Sequence, residues 1–76
     1  MKVEIITGEH CGYCDSAKHL LNVRGLEYKE ISCFEEEGMK ILSEHNLRSV
    51  PQIFIDDKLI GGYEDLKIWA LRDAGD

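Results

Sequence analysis

Apolar and polar positions change their spacing several times along this chain, and each change marks an element. Val3 to Thr7 is a short apolar, β-branched run that predicts a strand. Gly8, Glu9 and His10 follow as a loop. From Cys11 to Arg24 the spacing becomes helical. Cys14, Ala17 and Leu21 recur at i, i+3 and i+7 with Leu20 beside them, and Lys18 and Arg24 lie off that stripe. Gly25 predicts the stop, because glycine accepts the left-handed conformation that ends helices. Leu26 to Cys33 predicts a second strand with imperfect alternation. Glu35 to His45 predicts a second helix, with Glu35, Glu36 and Glu37 where the helix dipole favours negative charge. Met39 and Leu42 form its inward pair, with Ile41 next to them, and Gly38 weakens it. Gln52 to Ile55 is a nearly continuous apolar run, which suits a central strand buried on both faces. Asp56-Asp57 predicts a turn, and Lys58 to Ile60 the returning strand. Gly61-Gly62 breaks that strand. A last helix is predicted from Glu64 to Ala74, with Leu66, Trp69 and Ala70 on one face. Strand, helix, strand, helix, hairpin, helix is an α/β layer order.

At 76 residues the chain fits one domain, residues 1–76, with no repeat or linker. A domain this small has a modest core, so any chemistry must sit on the fold itself. The net charge of -6 argues against a nucleic-acid partner, because phosphate binding needs a basic patch. Apolar stretches such as Ile53-Phe54-Ile55 are far too short to span a bilayer. The N-terminus carries an acid, Glu4, inside its apolar stretch and no small-residue cleavage site, so it does not read as a signal peptide. The expected location is the cytoplasm. There the three cysteines, Cys11, Cys14 and Cys33, do not suggest a disulfide scaffold, and a close pair points to catalysis or metal binding.

Cys11-Gly12-Tyr13-Cys14 falls between a predicted strand and a predicted helix. A thiolate at a helix N-terminus is stabilised by unpaired amide donors and by the positive end of the dipole. Cys11 occupies that end. Cys14 lies about one turn further in, on the apolar stripe, and should be shielded. Roles follow from this: Cys11 attacks a disulfide, and Cys14 then attacks Cys11 and releases the product thiol. The competing reading is a zinc site built from His10, Cys11, Cys14, His19 and Cys33, but no second close ligand pair exists. Cys33 reads as a small buried apolar residue, and His19 and His45 as solvated helix positions. His10 either tunes Cys11 or is a surface loop residue. Pro51 either marks the start of the buried strand or forms a cis peptide beside the cysteines that presents the Val50 backbone. Asp65, after Gly61-Gly62-Tyr63-Glu64, is either a first-turn helix acid or a partner for a ligand amino group, with helix-start amides holding a ligand carboxylate.

Together, Cys11-Gly12-Tyr13-Cys14, Arg48-Ser49-Val50-Pro51-Gln52-Ile53-Phe54-Ile55 and Ile60-Gly61-Gly62-Tyr63-Glu64-Asp65-Leu66 resemble glutaredoxins. The segment Cys14 to Leu21 also looks like bacteriophage glutaredoxins. The resemblance implies a thioredoxin-like fold, a four-stranded mixed sheet with three helices in the order β-α-β-α-β-β-α. It implies a dithiol enzyme that reduces protein disulfides or glutathione mixed disulfides and is re-reduced by glutathione. Cys11 is then the nucleophile and Cys14 the resolving thiol. Tyr13 flanks the bound sulfur, Pro51 is cis, the Val50 backbone pairs with the glutathione cysteine, and Glu64 and Asp65 hold the γ-glutamyl end. Gly12 stands where the family commonly has proline, and some relatives without that proline bind a [2Fe–2S] cluster between two subunits with glutathione as extra ligand, Cys11 being the protein ligand here. Gly8 stands where the family often has lysine, and Arg48 could supply part of that charge. Ser49 replaces the usual threonine. A fourth alternative keeps the dithiol but takes electrons from thioredoxin reductase. Ribonucleotide reductase is a client that family analogy suggests, and a monomer is the simplest expectation without a cluster.

Overall fold

The computed structural model describes residues 1–72. Within them the elements are β1 (Val3–Thr7), α1 (Gly12–Val23), β2 (Lys29–Ser32), α2 (Glu36–Glu44), β3 (Gln52–Ile55), β4 (Lys58–Gly61) and α3 (Tyr63–Arg72). The order is the expected one. Asp73 and Ala74 of the predicted last helix lie outside the described residues. Among the described residues no helix is long and apolar enough to cross a membrane.

The strands form one mixed sheet in the order β2-β1-β3-β4. β1 runs parallel to β2 and antiparallel to β3, with Ile6 beside Ile31 and Ile5 beside Ile53. Successive strand residues point to opposite faces, so β1 feeds two cores at once. Val3 and Ile5 join Ile53, Ile55, Ala17, Leu21 and Leu66 on the face covered by α1 and α3. Ile6 joins Ile31 and Phe54 on the other face, under Ile41 and Leu42 of α2. Each fully buried Ile or Leu contributes about 1.5–3 kcal/mol, so these two layers fix how α1 lies on the sheet.

α1 ends as its glycine predicts. Gly25 has φ 70, its amide donates to the Asn22 carbonyl at 3.0 Å, and the Leu26 amide donates to the Leu21 carbonyl at 2.9 Å. This double closure satisfies the last carbonyls of the helix. It also occupies Leu26, which is why β2 begins at Lys29 and not at Leu26. α2 ends in the same way around Asn46, with φ 56 and the Leu47 amide donating to the Leu42 carbonyl at 2.8 Å. That closure directs the chain into the segment before β3. Asp56 and Asp57, with φ 50 and 68, make the tight hairpin turn that matches strand twist.

Two expectations fail on the α2 side. Met39 is not inward but 54% exposed, and Gly38 is the buried residue of α2. A Cβ at position 38 would strike the Ser32 carbonyl oxygen. The helix therefore turns its smallest residue toward the end of β2, and Met39 rotates outward. Cys33 is half-buried rather than fully enclosed, lying at the rim of the second core.

Candidate functional site

The N-terminal end of α1 is capped by a sulfur. Cys11 has extended backbone (φ -108, ψ 102), and its Sγ accepts from the Cys14 backbone N–H at 3.1 Å. His10, with φ 52, turns the chain into this cap and is itself exposed. Cys11 and Cys14 are joined as a disulfide, with Cα atoms 5.2 Å apart. Cys11 is partly exposed, whereas Cys14 is 1% exposed within the α1 stripe. Sequence spacing anticipates this asymmetry. The helix start stabilises negative charge on Cys11 once the bond is reduced.

Val50 comes to the same place from a distant part of the chain. The Val50–Pro51 peptide is cis, and the Val50 carbonyl oxygen lies 3.8 Å from Cys11 Sγ. An oxidised sulfur carries no hydrogen, so this approach is a contact in the disulfide form and a donor–acceptor geometry only for a thiol. Beside it opens a groove of about 590 Å³, within the range of small-molecule sites. Tyr13, Val50, Pro51, Glu64 and Asp65, all singled out from sequence, line it. Leu47, Gln52, Leu59 and Tyr63 line it too and were not singled out. Tyr63 was legible in principle, because it directly follows the Gly-Gly break.

Aromatic and charged groups form one wall. The rings of Tyr13 and Tyr63 lie 6.0 Å apart, and Tyr13 is 65% exposed. The Lys67 ammonium stands 5.0 Å above the Tyr63 ring and 2.9 Å from Glu64 Oε2. The hydrogen bond to Glu64 raises the Lys67 pKa above its ordinary value. Asp65 accepts from the Gly62 backbone N–H at 3.2 Å, so it does act as a helix-start acid. Gly61 has φ 124, and a Cβ there would run into the Asp65 carboxylate. The wall thus offers carboxylates and helix-start amides side by side, a set that suits a ligand carrying both an ammonium and a carboxylate.

Thr7 Oγ1 donates to Glu30 Oε2 at 2.8 Å, and Lys18 Nζ donates to the same oxygen at 3.2 Å. The Thr7 hydrogen bond, followed by Lys18, holds the Glu30 carboxyl below the usual carboxylate range. The network ties α1 to β1 and β2.

The zinc reading does not assemble. Among the described residues no three His, Cys, Asp or Glu side chains converge. Cys33 Sγ sits instead beside Gly8, 3.4 Å from where a Cβ would stand. A [2Fe–2S] cluster needs four ligands; one chain offers the accessible sulfur of Cys11 while Cys14 is enclosed, so a second chain and glutathione would have to supply the rest. A second depression, about 650 Å³ around Gly25, Leu26 and Glu27, lies beyond the opposite end of α1 from the disulfide.

Residues 3–60 match the family model for glutaredoxin. The probable glutaredoxin of Synechocystis sp. is 41% identical over 78 residues, which cover 97% of this chain and 85% of that one. Glutaredoxin 1 from Francisella tularensis, solved with cacodylate, superposes with a TM-score of 0.82 at 32% identity, covering 99% and 98% of the two chains. The buckwheat glutaredoxin–glutathione complex superposes with a TM-score of 0.77 at 28% identity, covering 91% of this chain and 67% of that one.

Proposed function

The chain belongs to the glutaredoxin family of thiol–disulfide oxidoreductases, and from that premise we propose that it is a glutathione-dependent reductase working through Cys11 and Cys14. The observation that carries this reading is the position of Cys11. Its sulfur caps α1 and lies 3.8 Å from the carbonyl of Val50, a residue that lines a groove with Tyr13, Pro51, Glu64 and Asp65.

The reaction follows from ordinary thiol exchange. The Cys11 thiolate attacks the glutathione sulfur of a protein–glutathione mixed disulfide. The old S–S bond breaks, the protein thiol leaves and takes up a proton, and Cys11 carries glutathione. A second glutathione thiolate attacks that sulfur, which yields glutathione disulfide and regenerates the Cys11 thiolate. With a protein disulfide, Cys11 forms the mixed disulfide with the client. Deprotonated Cys14 then attacks Cys11, expels the client's second thiol and leaves the Cys11–Cys14 bond. Two glutathiones reduce it. In this reading the Val50 backbone pairs with the glutathione cysteine, Tyr13 packs against the transferred sulfur, and the Glu64–Asp65 end receives the γ-glutamyl group. We read residues 1–76 as one such domain acting as a monomer. The cytoplasm is the compartment where a dithiol is kept reduced.

The test is NADPH consumption with a protein–glutathione mixed disulfide, coupled either to glutathione plus glutathione reductase or to thioredoxin reductase. Rapid turnover in the first arm is expected. Turnover in the second arm alone would keep the cysteines and remove glutathione.

A further inference from the structure

Gln52 opens β3, a strand whose other three residues are Ile53, Phe54 and Ile55, and it is only 7% exposed. A carboxamide enclosed in such a place is costly unless it is hydrogen-bonded. Its Nε2 donates to the Ser49 carbonyl at 3.0 Å and approaches the Ser49 hydroxyl at 3.3 Å. The side chain therefore reaches back over Val50 and Pro51 and closes a loop around them. Pro51 has no amide hydrogen to anchor this stretch from within, and the Gln52 amide supplies a donor in its stead.

We propose that Gln52 is a positioning residue for peptide-bearing disulfides: by clamping Ser49 it holds the Val50 backbone in register with Cys11. The inference rests on the glutathione reading above, and it concerns a residue that touches Ser49 and not the reacting sulfurs. Its signature is selectivity between substrates. Glutathione disulfide presents peptide groups to the Val50 backbone. Bis(2-hydroxyethyl) disulfide presents the same reacting bond and no peptide group.

The experiment compares single-turnover oxidation of the reduced protein by these two disulfides, in the wild type and in Gln52→Met and Ser49→Ala. Met preserves size and removes the donor. Gln52→Met is expected to lower the rate with glutathione disulfide about five-fold, the scale of one neutral hydrogen bond, and to lower the hydroxyethyl rate by a clearly smaller factor. Ser49→Ala, which removes only the longer contact, is expected to cost about two-fold at most. An equal fall with both disulfides would overturn the proposal, because it would mean a general loss of structure. Undiminished preference for glutathione disulfide in Gln52→Met would overturn it alone and leave the glutathione reading intact. Absence of that preference in the wild type would overturn both.

Discussion

The backbone N–H of Cys14 donates to the sulfur of Cys11 across 3.1 Å while the two side chains are joined as a disulfide. The hydrogen bond uses the main chain of Cys14 and not its thiol. Replacing the Cys14 side chain therefore leaves the donor in place.

Two consequences separate the cysteines. In Cys14→Ser, Cys11 is expected to react with iodoacetamide at neutral pH at least about ten-fold faster than half-buried Cys33, as a helix-capping thiolate should. In the coupled assay, Cys11→Ser is expected to fall to the uncatalysed background. Cys14→Ser should lose protein-disulfide reduction while keeping turnover of glutathione mixed disulfides. Full activity of Cys11→Ser would refute the assigned roles, and peptide mapping of the alkylated protein checks the first expectation.

Gly61→Ala tests the groove wall. The backbone there has φ 124 and a methyl would meet the Asp65 carboxylate. Strain of this kind costs about 1–3 kcal/mol. A lower urea midpoint, accompanied by a higher KM for the glutathione substrate, is the expected result. A midpoint equal to that of the wild type would show that the turn relaxes freely.

Gly38→Ala sets two effects against each other. Alanine in a helix interior gains about 1 kcal/mol over glycine. Against this, its methyl would press on the Ser32 carbonyl, and overpacking costs about 1–3 kcal/mol. Net destabilisation is expected in thermal unfolding. An increase in Tm would mean that α2 can lift from β2 at little cost.

Glu30→Gln bears on pH. The Glu30 carboxyl is held below its ordinary range, chiefly by Thr7 and then by Lys18. A depressed acid stabilises the fold above that range, and the contribution fades as pH falls through it. Because the Glu30 side chain is 43% exposed, solvent screens the pair, and a loss of about 0.5 kcal/mol at pH 7 is expected. Urea unfolding at pH 7 and at about pH 3 should show the difference shrinking at the lower value. A constant difference would place the effect in packing rather than charge.

The part of this molecule legible in sequence is the part governed by local rules. Periodicity located α1 through Cys14, Ala17 and Leu21, and Gly25 located its end. The cap, the cysteine pair and the positions Val50 and Asp65 were also reachable, since each sits at an element boundary with its own residue signature, whereas Tyr13 was reached only through the family resemblance. What escaped depends on approach between distant segments. Met39 looks inward by hydropathy, and only the closeness of Ser32 reveals why Gly38 takes that place. Leu26 looks like a strand residue until its amide is seen closing α1. Gln52 reads as one polar residue in an apolar run, and its hydrogen bonds to Ser49 appear only when the chain has turned at Pro51.

Cys11 and the Val50 carbonyl are 39 positions apart, and β3 reaches β1 only after both helices between them have been laid down. A chain emerging from the ribosome therefore exposes Cys11 and Cys14 well before Val50 can come to lie beside them. During that interval they are ordinary cysteines, open to any oxidant. The groove beside them is completed only by residues 61–65, so a translation product cut short before residue 50 would carry the Cys11–Cys14 motif without any of that wall.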